Sequence, residues 1–494
     1  MTEQNHSKTR VLDMDATDLL KAYKEGTIKP GEAVDTYIKH QERFNKTLNL
    51  VVETRYEAAR QEAAQCDALV KKGKIKGKLF GIPMSMKEAF DVSGMHTTGG
   101  LTHYKDRLRK TDAEVVKRLR AQGAIILNKT NTPSLCFCQE TDNLLFGRSN
   151  NPWNPTYTTG GSSGGEAGVI AVGGAAAGFG SDIGGSIRFP SHFNGVVGLK
   201  AGAYRFPDEG HLPEVTIENQ KRMLGFGPIV KSVRDAALFY SVIHPSFQPP
   251  TSWGLPKDLK VVSFGSFHKT RCTTETVEIL QKAQEFLQES VDNLHLKTEP
   301  PEFMKDVPGI WQLIMSEDGA EGIRKLAYPH LKKGNLWDHL KILFDFFKPK
   351  IGIKAQNHPF ISWGIFGAWL FTPNEKQKRE INTFVQTHLK EIEQLLGPNG
   401  VFLTPTYPSP SKKHKKIYWE IFDIRKTYRW VLPFISLPNT FGLPAIIVPC
   451  GRSADGMPIG LQVATTVGNE ALLFRVAKFL ESQFGGYRRN IEYD

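Results

Sequence analysis

Cysteine is scarce in this sequence, with five in 494 residues, at positions 66, 136, 138, 272 and 450. An odd, scattered set does not make a disulfide framework, and a reducing compartment is its natural setting. Cys136 and Cys138 stand one residue apart with no second pair at zinc-ligand spacing, so no metal site is expected. Long apolar runs are missing as well. The most apolar long stretch, 167–180, is rich in Gly and Ala and falls short of the ~18 residues that a spanning helix needs. Residues 1–10 are polar and hold no apolar leader segment, so a cytoplasmic location is expected. There is no repeat of 20–50 residues, and no Gly/Ser linker divides the chain.

Acidic residues are outnumbered, 51 Asp+Glu against 63 Lys+Arg, for a net charge of +12. Such a balance suits nucleic acid, an anionic membrane or a solvated basic surface. No zinc finger, aromatic RNP-like strand or basic heptad region accompanies it, so no nucleic-acid partner is expected. The densest block, Lys412 to Lys416, follows Pro408 and Pro410 and reads as a solvated loop. Hydrophobic residues make up 40% and charged residues 23%. That is ordinary for a globular chain, and this one is long enough to bury a large core without staples.

The N-terminal part reads as helix: a segment around Leu19, Leu20 and Tyr23 capped by Asp15 or Thr17, another from Pro30 through Ile38, and a third from Tyr56 to Leu69. Then the pattern changes to a short apolar strand, Leu79 to Lys87, a helix from Ala113 to Gln122, and a strand from Ala124 to Leu127. Alternation of this kind indicates an α/β sheet protein. Residues 158–200 hold Gly160-Gly161-Ser162-Ser163-Gly164-Gly165, then a small-residue helix to about Gly178, then Gly180-Ser181-Asp182-Ile183-Gly184-Gly185-Ser186-Ile187-Arg188-Phe189-Pro190. Further strands are expected at Val261–Phe264, Val401–Pro405, Ala445–Val448 and Gly460–Ala464, with helices at Thr276–Gln288 and Asn469–Phe484.

Glycine-rich loops around serines have a chemical use. A hydroxyl that attacks a carbonyl needs an open approach and backbone N–H groups beside it, and glycine lets the backbone come close. Successive N–H groups in Ile183-Gly184-Gly185-Ser186 can converge on a developing oxyanion. A serine hydroxyl also needs a base. No histidine stands in a recognisable motif, but a lysine serves if burial or nearby positive charge lowers its pKa from about 10.4. Lys87, at the end of an apolar strand, is in a place where that can happen. Gly160–Gly164 also fits the G-x-S-x-G nucleophile elbow, but Asn154-Pro155-Thr156 precedes it where the elbow requires a strand. As a phosphate loop it lacks the Lys-Ser/Thr that should follow.

Met86-Lys87, Gly160–Gly165 and Gly180–Pro190 together resemble the hallmarks of the amidase signature family, with Lys87, Ser162 and Ser186 spaced 75 and 24 residues apart as in its Ser-Ser-Lys triad. The resemblance runs from about Asp15 to Gly486 and is strongest over 79–200, 401–406 and 441–463. It implies a single domain over 1–494, an α/β/α sandwich around a large twisted mixed sheet, and amide hydrolysis through an acyl-enzyme with no cofactor or metal. Ser186 would be the nucleophile, Ser162, on a cis peptide bond, the relay, and Lys87 the base. Ile183, Gly184 and Gly185 would supply the oxyanion site, while Cys136 and Phe137 would line the acyl side. Ser163 would hydrogen-bond to Lys87, and Asp182 and Arg188 would hold the nucleophile loop. Ile183 and Phe189 resemble the fatty acid amide hydrolase type, since glutaminase subunits of tRNA-dependent amidotransferases usually carry Thr at 183. An apolar acyl amide is therefore the expected substrate. A glutaminase subunit with a partner protein and a non-catalytic binding module are the alternatives.

An apolar insert at about 303–372 holds Trp337, Leu340, Leu343, Phe344 and Phe347 at helical spacing, widened by Ile342 and Phe346. Lys332, Lys333, Lys341, Lys348, Lys350 and Lys354 flank it. The preferred reading is a helix packed on the core with solvated lysines, and the other is a membrane-surface helix that admits an acyl chain. The expected partners are a small-molecule amide, with a membrane surface and a second copy of the chain as further contacts.

Overall fold

A computed structural model describes residues 11–421, 423 and 427–494. The leader reading at residues 1–10 lies outside them. The strands, in chain order, are β1 (Val51–Thr54), β2 (Pro83–Lys87), β3 (Ile125–Thr130), β4 (Asn150–Asn151), β5 (Asn154–Thr158), β6 (Ala177–Asp182), β7 (Val197–Lys200), β8 (Gly225–Val230), β9 (Lys260–Ser263), β10 (His295–Lys297), β11 (Gly400–Pro405), β12 (Ala445–Arg452) and β13 (Pro458–Ala464). Eleven of them form one sheet in the order β1-β3-β2-β6-β8-β7-β12-β13-β11-β9-β10, and β4 and β5 form a separate pair. The sheet is mixed: β3-β2-β6 and β11-β9-β10 run parallel, and the pairs between them are antiparallel.

Side-chain alternation along the strands sorts two cores. Met84 and Met86 of β2 enter the first, so Ser85 and Lys87 project from the other face. Val401 and Leu403 of β11 join the first core while Phe402 joins the second, and Val261 and Val262 of β9 divide the same way. Helices Ala16–Glu25, Pro30–Leu48, Val233–Ile243 and Glu470–Phe484 cover the first face. Helices Arg188–Asn194, Val307–Met315, Glu375–Leu396 and Pro433–Thr440 cover the second. This is the expected α/β/α arrangement, with Lys87 on the side where the Gly-rich loops gather.

Two local readings change. The small-residue helix ends at Ala171, and residues 177–182, expected to begin as helix, form β6. Gly173 turns the chain at φ 73°. A Cβ at Gly178 would lie 2.0 Å from Glu166 Oε1, so only glycine lets β6 pass this close to the helix. Glycine and alanine carry no periodicity that separates helix from strand. The second change is in the insert. Helix Leu336–Phe347 buries Asp338, His339, Ile342, Asp345 and Phe346, while Trp337 (70%), Phe344 (51%), Leu340 and Phe347 are exposed. The helix packs inward through Ile342 and Phe346 with its lysines in solvent, as the preferred reading has it, but the rest of the apolar row faces outward. The inward carboxylates are occupied: Asp338 accepts the N–H groups of Lys333 and Gly334, and Asp345 accepts Tyr328 O–H and the N–H groups of Gln356 and Asn357. Binding two loops to the helix takes its polar residues inside and leaves apolar ones outside. Among the described residues no helix is long and apolar enough to cross a membrane.

Candidate active site

Three loops bring the chemistry together. β2 ends at Lys87; the turn Gly160–Ser163 leads into helix Gly164–Ala171; and the turn 183–187 joins β6 to helix Arg188–Asn194. The peptide bond Gly161–Ser162 is cis. Lys87 is fully buried, and its Nζ lies 2.6 Å from Ser162 Oγ. Burial drives its pKa below the ordinary lysine value, opposed by the Cys136 thiol and the carboxylates of Asp182 and Glu166. Ser162 and Ser186 both line a cavity of about 340 Å³, within the size range of small-molecule sites. Its mainly apolar wall includes Phe137, Ile183, Trp311, Trp363, Phe366 and Phe371.

Asp182 fixes the turn 183–187. Its carboxylate accepts the N–H groups of Gly185 (2.8 Å), Ile187 (3.1 Å) and Arg188 (3.3 Å) and pairs with the Arg188 guanidinium at 2.9 Å. Arg188 also donates to Ile435 O and Gln462 Oε1 and touches Asn439 Oδ1. All this is sealed from water, since Asp182 and Arg188 are fully buried. Burial alone would raise the Asp182 pKa, but Arg188 holds it well below the usual carboxylate range. Gly185 sits at φ 94°, and a Cβ there would lie 2.6 Å from the Phe189 ring.

The structure brings Lys87, Ser162, Ser186, Ile183, Gly184, Cys136 and Phe137 to one cavity. Two assignments move. Gly185 N–H is committed to Asp182, which leaves Ile183, Gly184 and Ser186 as the cavity-lining residues of that turn. Ser163 does not bond to Lys87; its N–H donates to Ser186 O at 3.0 Å, and its hydroxyl is 3.5 Å from Ser181 O. The second hydroxyl beside Lys87, after that of Ser162, is that of Ser181, at 2.9 Å. Ser181 lies inside the Gly180–Pro190 motif, so it was in view without a role. Glu166 bonds to Ser85 and Thr130 hydroxyls beneath Lys87, and His211 lines the cavity. No motif pointed to either.

Comparison with known proteins shows the family. The Amidase family model matches residues 32–474. Fatty-acid amide hydrolase 2 of Homo sapiens is 30% identical over 97% of this chain and 90% of that protein. A glutamyl-tRNA(Gln) amidotransferase subunit of Synechococcus sp. (strain CC9605) is 28% identical over 94% of this chain and 95% of its own. Among solved structures, a fatty acid amide hydrolase superposes with TM-score 0.79 at 20% identity, covering 98% of this chain and 87% of that one. The chain belongs to the amidase family, whose characteristic site is a Ser-Ser-Lys triad. It is a hydrolase of amide C–N bonds.

Proposed function

We propose that the chain hydrolyses apolar acyl amides, with Ser186 as nucleophile, Ser162 as relay and Lys87 as base. The observation that carries this reading is a fully buried amine 2.6 Å from the hydroxyl of Ser162, beneath a cavity that Ser162 and Ser186 share. In its neutral form Lys87 takes the Ser162 proton while Ser162 takes that of Ser186. The Ser186 oxygen bonds to the acyl carbon, and the N–H groups of Ile183, Gly184 and Ser186 are the candidates to receive the developing oxyanion. As the C–N bond breaks, the proton returns through Ser162 to the leaving amine. Water then repeats the cycle on the acyl-ester, releasing the acid and Ser186. Burial, which disfavours the ammonium form, is what lets a lysine work near neutral pH.

The aromatic and aliphatic wall supports an apolar acyl group over glutamine, whose charged α-amino and α-carboxylate groups would need polar partners beyond the reacting centre. The exposed row Trp337, Leu340, Phe344 and Phe347 supports contact with a lipid surface, and Leu370 and Phe371, exposed residues that also line the cavity, support one at its mouth. The lysines around it favour an anionic surface. Ser186→Ala should abolish acyl-amide hydrolysis and labelling by a fluorophosphonate probe; full activity in that variant would end the assignment. Release of ammonia from glutamine by the lone chain, with none from acyl amides, would favour the glutaminase reading.

A further inference from the structure

Lys87 has a second polar arm that the triad does not use. Its Nζ lies 2.9 Å from Ser181 Oγ and 3.5 Å from Ser181 O. Ser181 Oγ in turn lies 2.9 Å from His211 Nε2, and His211 Nδ1 lies 2.9 Å from Pro213 O. The ring is wedged edge-on against Phe90, with centroids 5.0 Å apart, and tilted against Phe226 at the same separation. It belongs to the cavity wall, as do Ser162, Ser181 and Ser186.

The direction of every hydrogen bond in this arm follows from its far end. A carbonyl oxygen only accepts, so the Pro213 contact puts a proton on Nδ1. Burial, the largest cause, pushes the imidazole pKa down, so the ring is neutral and, with its proton on Nδ1, Nε2 carries none. Nε2 is then an acceptor, and the Ser181 hydroxyl spends its one proton on it. Toward Lys87, Ser181 can only accept. The amine must point its N–H bonds at Ser181, which leaves its lone pair for Ser162 at 2.6 Å.

We infer that His211 is a positioning residue for amide hydrolysis, one that acts through Ser181 to turn the Lys87 lone pair toward Ser162. This rests on the reading of Lys87 as the base. His211 exchanges no proton with the substrate. With the acceptor gone, the Ser181 hydroxyl is free to rotate and donate to the Lys87 lone pair in competition with Ser162. The ammonium form also loses a polarised acceptor, so it becomes less stable. The other titratable groups acting on the amine are Cys136, Asp182 and Glu166, and none of them is altered by a change at 211.

Two variants of the full chain test this. His211→Phe keeps a ring between Phe90 and Phe226 and removes both nitrogens; His211→Gln keeps a side-chain acceptor. For His211→Phe, kcat on an acyl amide should fall about tenfold, the worth of one ordinary hydrogen bond, with KM unchanged. The acidic limb of its kcat/KM profile should move to lower pH, and His211→Gln should recover most of both effects. A matching thermal midpoint checks the fold. Unchanged kcat in His211→Phe, a rise in KM alone, or a loss of kcat with no shift of the limb and no recovery by Gln would each overturn the inference. The triad reading fails on other evidence: full activity in Lys87→Ala or Ser186→Ala, whatever happens at 211.

Discussion

β2 and the helix Leu336–Phe347 both put ionisable side chains inside the protein, and they do so to different ends. At the end of β2 the amine of Lys87 meets hydroxyls and has no carboxylate in direct contact, so burial is free to push its pKa down. In the helix, Asp338 and Asp345 are surrounded by N–H and O–H donors, and donors of that kind stabilise the charged form. Accordingly Asp345, despite burial that would raise it, is held below the usual carboxylate range by the Lys348 ammonium and these donors. One region leaves a charge unsatisfied and gains reactivity. The other satisfies its charges and gains a fixed loop structure, at the cost of an apolar exterior.

Removing the unsatisfied amine should have the largest effect. Lys87→Ala deletes the proposed base, and loss of a member of a nucleophile-base unit typically costs roughly 10⁴–10⁶ in kcat. The alanine variant should fold and should label slowly with a fluorophosphonate. Retention of more than a tenth of the activity would mean that the two regions do not differ in the way described.

The next effect belongs to a satisfied charge inside the catalytic region itself. Asp182→Asn leaves the buried Arg188 guanidinium uncompensated and takes an anionic acceptor from three N–H groups. Breaking a buried pair in this way costs about 3–5 kcal/mol, measurable by urea unfolding. The sign with pH is fixed by the depressed folded pKa. The carboxylate stabilises the fold above the ordinary range near 4 and ceases to as pH falls below it. A drop well under 1 kcal/mol would remove the analogy with Asp345.

Much of this was legible in the sequence, for a reason that separates the two regions again. Glycine at 184 and 185, serine at 162 and 186 and the lysine at 87 are called for by close backbone approach and by the proposed chemistry, so they stand out as residue types at fixed spacing. β12, β13, β9 and β11 were legible as short apolar runs. The arm through Ser181 to His211 was not, because His211 reaches β6 across 30 residues that include a helix and β7 and no spacing announces it. Nor was the outward apolar face of Leu336–Phe347. Periodicity locates a stripe but does not say which side of the helix the fold covers, and here hydrogen bonds from two loops decided it.

Glu166 sharpens the comparison at intermediate size. Burial pushes its carboxyl up to about 8, against the Ser85 and Thr130 hydroxyls and Lys87. The folded state therefore holds a proton that the unfolded chain releases near 4.5. Stability from this group falls as pH rises from 4.5 toward 8 and levels off above. Glu166→Gln should remove that decline, so its stability relative to the parent should improve by a few kcal/mol between pH 5 and pH 9. Parallel stability curves would show that the carboxyl is already ionised, with Lys87 held as its ammonium partner and unable to act as base.

The smallest effect on folding should come from the outward face. Trp337 and Phe344 are 70% and 51% exposed, and polar replacement of exposed side chains typically changes stability by no more than about 0.5 kcal/mol. Trp337→Ser with Phe344→Ser should therefore leave the urea midpoint and the hydrolysis of a short, water-soluble acyl amide unchanged. Cosedimentation with anionic phospholipid vesicles should drop at least tenfold, since each side chain forfeits about 1.5–3 kcal/mol of burial in the lipid interface. Zwitterionic vesicles should bind the parent chain less well, because the flanking lysines then have no counter-charge. If the double variant instead loses stability, those side chains are covered in solution and the face has a protein partner. If it keeps both its stability and its vesicle binding, the polar inside and apolar outside of this helix serve the loops alone, and the cavity takes its substrate from water.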